Sequence, residues 1–196
     1  RLSSGALSLI NRDGSLVLPP TIRPARAAAE TAAPVVLDPR VGPNTRLGDD
    51  PAALPGSQRA QAEPHIVRSP INSDFLVGTF QEGRFTDGGA LDCGYSISSD
   101  GGTNWTRALI PKLTQTVGGT YFRATDPVAG VDLNGLVYLN TEVAIDSTFA
   151  RGAVVISKST NAGATFGNPD VIYKPKKRTK IFPDKNWMVI NNFTGS

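Results

Sequence analysis

The chain has 196 residues, a formal net charge of +3 and 39% hydrophobic residues, with one cysteine, one histidine and one methionine. So slight a positive balance does not by itself point to nucleic acid, and a single cysteine excludes an internal disulfide and a cysteine-built metal centre within the chain. No run approaches the ~18 apolar residues that a membrane-spanning helix needs, so no membrane span is expected.

Residues 1–61 form a regime of their own. Eight of the fifteen prolines fall between positions 19 and 62, with an alanine-rich run from Ala25 to Ala33. Such composition buries little apolar surface and suits an extended N-terminal arm or linker. Ser15-Leu16-Val17-Leu18 reads as one strand within it. The only methionine is Met188, so the chain reads as processed or as starting internally, and no signal peptide is visible.

From position 62 onward, β-type runs alternate with turns. Strands are predicted at 65–68, 75–80, 93–98, 106–110, 128–132, 136–142, 152–158 and 170–173, with almost no helix. Two stretches 61 residues apart are copies of one another: Ser98-Ser99-Asp100-Gly101-Gly102-Thr103-Asn104-Trp105 and Ser159-Thr160-Asn161-Ala162-Gly163-Ala164-Thr165-Phe166. In each, the Asp100 or Asn161 side chain is expected to accept backbone N–H groups two or three residues on. Gly102 and Gly163 supply a positive φ. Trp105 and Phe166 are expected to fold back and be largely buried. Asn134-Gly135 between two apolar runs is a hairpin signal. An acidic residue opens each unit, at Glu63, Asp126 and Asp184, with spacings of 63 and 58.

The repeated turn resembles the Asp-box (BNR) repeat of sialidase-like β-propellers. The resemblance implies an all-β fold of four-stranded antiparallel blades: a blade over 62–120, a second over 121–180 and the start of a third at 181–196. Propellers close with about 4 to 8 blades, so this reads as the N-terminal portion of a larger protein. Its partners would be the remainder of the propeller, or neighbouring subunits that cover the open sheet edges.

Gln81-Glu82-Gly83-Arg84, followed by Asp87 and Asp92, is similar to the sialidase segment that ends in Glu-Gly-Arg with a catalytic Asp nearby. The resemblance makes Arg84 an arginine of that loop, and Asp87 or Asp92 the acid/base. Sialidases open their first blade with Arg-Ile-Pro, whose arginine clamps the substrate carboxylate. Here the matching tripeptide is Ala62-Glu63-Pro64 or Glu63-Pro64-His65, neither of which has an arginine, and a carboxylate there repels such a substrate. Glu63, Asp126 and Asp184 come from equivalent points on successive units. They either hold a hard cation such as Ca²⁺ through oxygen ligands or bond to backbone of the adjacent blade. No other cofactor is implied. Cys93 reads as a buried small apolar residue and His65 as a strand residue. The cations Lys174, Lys176, Lys177, Arg178 and Lys180 read as a solvated loop, or as a patch for an anionic glycan or acidic neighbour.

Three functions follow. One is a secreted or cell-surface (or periplasmic) module, without catalysis, that binds glycan or protein or assembles a surface structure. Another is part of an exo-sialidase-like glycoside hydrolase completed by later blades. The third is a structural subunit whose arm reaches a neighbour.

Overall fold

The computed structural model describes residues 45–48, 61–176 and 180–193. The strand expected at Ser15–Leu18 and the cations Lys177 and Arg178 lie outside them. Eight strands appear where the sequence places them: β1 (Gln61–Arg68), β2 (Leu76–Arg84), β3 (Ala90–Ser98), β4 (Thr106–Leu109), β5 (Arg123–Val131), β6 (Val137–Ala144), β7 (Gly152–Ser159) and β8 (Asp170–Tyr173). The single helical element among the described residues is a 3₁₀ turn at Gln115–Val117.

The strands form two antiparallel meanders, β1 to β4 and β5 to β8. One pair, Ala90 with Ala124, joins them into a single sheet. This departs from the expected separate blades, because the two short side chains let β3 and β5 meet edge to edge. The core lies between the meanders. Val77, Cys93 and Tyr95 of the first pack with Ala129, Leu139, Val143 and Val155 of the second. Thr79 donates its hydroxyl to the Pro127 carbonyl at 3.1 Å across the same boundary.

Residues 45–48 lie against the opposite face of the first meander. Ser96 donates to the Leu47 carbonyl at 2.8 Å, and a Cβ on Gly78 would fall 2.9 Å from the Leu47 side chain. Residues 180–193 run extended along the far face of the second meander without strand pairing, although the sequence predicts the first strand of a third unit there. Gly130 and Gly152 make room for them: a Cβ at either would strike Ile190 and Met188, or Pro183 and Phe182.

Strands β1, β2, β3, β5 and β6 run further than predicted, all at one end of the sheet. The added residues include Gln81, Glu82, Asp92 and Asp126, which are polar yet buried. Their polarity reads as loop, but partners on other segments let them stay in strands: Thr125 for Gln81, Gln61 for Glu82, Thr114 for Asp92 and Lys185 for Asp126.

The two repeated turns have nearly superimposable bonding. Ser98 donates to Asp100 at 2.8 Å and accepts from the Gly102 N–H at 2.8 Å, while Asp100 accepts from the Asn104 N–H at 2.8 Å. In the second turn Ser159 donates to Asn161 at 2.8 Å, and the N–H groups of Gly163 and Thr165 are each bound at 2.9 Å. The captured N–H lies four residues on, rather than two or three, because the serine hydroxyl fills the middle of the loop. Gly102 and Gly163 take φ of 92° and 78°. Trp105 and Phe166 are half-buried rather than largely buried. Phe166 meets Tyr95 edge-on at 4.9 Å on the inter-meander side. Trp105 folds over its own turn, its indole N–H donating to the Gly102 carbonyl at 2.9 Å.

Candidate functional site

The polar end of the sheet begins with two bulges. Register shifts fall between Ala62 and His65 in β1 and between Thr125 and Val128 in β5. Each contains an acidic residue followed by proline, which lacks the N–H that a regular ladder would use. Glu63 and Asp126 both adopt the left-handed region, with φ of 51° and 50°. That conformation is unfavourable for a residue carrying Cβ, and here it aims two carboxylates from equivalent places to one point.

A lysine occupies that point. Lys185 Nζ lies 2.9 Å from Glu63 and 3.3 Å from Asp126. In the repeat register it stands where the first two units carry Pro64 and Pro127. Burial lowers the ammonium pKa, and the bonds to Glu63 and Asp126 more than offset it, leaving the group above its ordinary value. Asp184, exposed, does not join the pair. Among the described residues, no three acidic, histidine or cysteine side chains are grouped as a metal would require.

Beneath this bridge lies a carboxyl that sequence reading missed. Glu142 of β6 is 1% exposed, and among the described residues neither of its oxygens has a hydrogen-bond partner. Burial, with Asp126 and Asp184 nearby, pushes its pKa up to about 8 against a slight opposing effect of Lys185. It therefore carries a proton at neutral pH. Asn186, on the extended segment, donates to Asn140 Oδ1, and its own Oδ1 has no partner among the described residues. Glu142 occupies the same register place as Gln81 of the first meander, since these two sit opposite Thr125 and Ala62. A polar residue recurring at one place of a repeat is the signal that could have found it.

Arg84, Asp87 and Asp92 are each held by neighbours. Arg84 donates to Gln81 Oε1 at 2.7 Å, and Gln81 in turn donates to the Thr125 hydroxyl. Asp87 accepts from the Gly89 N–H at 2.9 Å and lies 3.7 Å from Arg123. The Arg123 guanidinium is stacked between Phe85 and Phe122, 3.7 and 4.2 Å from the ring centroids. Asp92 is fully buried and anchors the chain after β4, accepting the Thr114 hydroxyl at 2.5 Å and the Cys93 N–H at 2.6 Å. Burial raises its pKa to about 7, against the lowering effect of those bonds. The structure thus brings Glu63 and Asp126 together and leaves Asp92 on separate duty.

His65 accepts the Ala129 N–H on Nδ1 at 3.2 Å and meets Trp187 edge-on at 5.3 Å. Burial and the Lys185 charge lower its pKa. Cys93 is buried. Lys174, Lys176 and Lys180 are exposed. Among the described residues, no helix is long and apolar enough to cross a membrane.

Among solved structures, the Hadza microbial sialidase Hz136 is similar to 58% of this chain, at 19% sequence identity and a TM-score of 0.46, and the chain covers 26% of that structure. No protein-family model and no curated protein matches the chain.

Proposed function

We propose that the two meanders are blades of an Asp-box β-propeller that acts outside the cytoplasm as a binding or surface-assembly module, without glycosidase turnover of its own. The observation that carries this is the Glu63–Lys185 pair at 2.9 Å. Glu63 lies in the tripeptide that stands where the sialidase-type pattern has its first arginine, and takes the arginine's own place when Glu63-Pro64-His65 is the match. A carboxylate bound to an internal lysine there offers a substrate carboxylate nothing to bind. Asp92 is engaged by Thr114, and Arg84 by Gln81. On this reading Lys185 takes the place that a Ca²⁺ ion would hold in an acidic ring, and glycan or protein binds elsewhere on the module. The test is hydrolysis of a fluorogenic sialoside by the purified protein. No turnover is expected, and measurable turnover overturns the proposal.

A second reading, part of an exo-sialidase-like hydrolase, is favoured by Glu142. A protonated carboxyl close to the ion-paired Asp126 is the kind of unlike pair that glycosidases use. On that reading turnover appears when the chain is joined to the later blades that complete it, and Glu142→Gln abolishes it.

A further inference from the structure

β8 is an edge strand. Among the described residues it pairs only with β7, and no strand lies on its outer side. Val171, Ile172 and Tyr173 are 51%, 59% and 43% exposed, an apolar edge of the kind soluble proteins usually blunt. Two other strands lie at edges and differ: β4 carries Arg107, which donates to the Arg46 carbonyl, and β1 is tied at its polar end, where Glu63 bonds to Lys185 and His65 accepts the Ala129 N–H.

The sequence around β8 reads Pro169-Asp170-Val171-Ile172-Tyr173-Lys174-Pro175. It is complementary to itself when reversed. An antiparallel pairing centred on Ile172 sets Asp170 opposite Lys174 of the partner subunit and Val171 opposite Tyr173 of the partner subunit, each twice, with Ile172 opposite itself. Opposite charges and β-branched–aromatic pairs are the favourable cross-strand combinations. The two prolines fall opposite one another and, lacking N–H groups, end the ladder on both sides. We propose that β8 is a homotypic interface through which two copies of this chain join edge to edge, as an isologous two-fold dimer with one continuous sheet. The charge pattern selects a second copy over an acidic peptide, because Asp170 would repel such a peptide while Lys174 attracted it.

Sedimentation equilibrium over a concentration series tests this. The wild-type protein is expected to show a reversible monomer–dimer equilibrium. Asp170→Lys or Lys174→Asp alone sets like charges opposite one another twice, and is expected to weaken dimerisation by about tenfold or more. The double variant D170K/K174D restores both pairs and with them the dimer. Both side chains are exposed, and far-UV circular dichroism checks that the variants fold. As an independent readout, I172C is expected to give a disulfide-linked dimer under mild oxidation, since Cys93 is buried and contributes none. A monomer at every concentration overturns the proposal, as do single swaps that leave dimerisation unchanged, a double swap that fails to restore it, or I172C that fails to cross-link.

Discussion

Glu142→Gln replaces a buried carboxylic acid with a neutral side chain of the same shape, and its effect on stability should depend steeply on pH. Glu142 is 1% exposed, with a pKa moved from 4.5 to about 8. Below 4.5 the acid is protonated in both folded and unfolded chains, and pH has no effect through it. Between 4.5 and 8 the unfolded chain releases the proton and the folded one keeps it, so the folded state binds more protons and loses stability as pH rises. Each pH unit in that window lowers stability by about 1.4 kcal/mol, and the whole window spans about 5 kcal/mol as an upper figure. Above 8 both states are ionised and the slope vanishes. Asp92, raised to about 7 by burial, contributes with the same sign. The difference between wild type and E142Q therefore isolates Glu142. Urea denaturation at pH 5, 6.5, 8 and 9 measures it. E142Q should gain on the wild type progressively between pH 5 and 8, by several kcal/mol in total. A constant difference between the two proteins from pH 5 to 9 would refute a proton held at Glu142.

Two further perturbations probe the repeated turns. Ser98→Ala and Ser159→Ala each remove a buried hydroxyl that binds a glycine N–H and an Asp or Asn oxygen; each should lower stability by about 1–3 kcal/mol in urea titrations, and a neutral result would show that water replaces the bond. Gly163→Ala and Gly118→Ala start from the same backbone, φ of 78° and 79°, but a Cβ at 163 would collide with the Ile97 side chain while one at 118 meets nothing within 4 Å. The first should therefore lose about 1–3 kcal/mol beyond the second, and equal losses would exclude the collision as the cause.

What the sequence determined by itself was local. The bonds that build the turns at Ser98 and Ser159 span four residues or fewer, so eight consecutive side chains carry all the information they need. The hairpin at Asn134-Gly135 is similarly self-contained, with Asp132 accepting the N–H groups of Asn134 and Leu136 at 2.9 Å. Strand positions followed from short apolar runs, and the recurring acidic residues Glu63 and Asp126 marked equivalent places in the two units. The strand ends around Gln81, Asp92 and Thr125 did not, because polar residues there are buried by partners from other strands.

The tertiary structure alone decided what those acids do. Lys185 lies 122 residues from Glu63, and no pattern in either segment announces that they meet. The protonation of Glu142 depends first on its burial and then on Asp126 and Asp184 arriving from two other segments, against the opposing charge of Lys185. Asp92, which with Asp87 the resemblance offers as acid/base, is bound by the N–H and hydroxyl of Thr114, 22 residues away. Trp105 and Phe166 occupy identical places in the repeat, yet only Phe166 has a meander beneath it to pack against. Local hydrogen bonding is written in neighbouring residues, whereas burial and charge depend on what distant segments bring within a few ångströms.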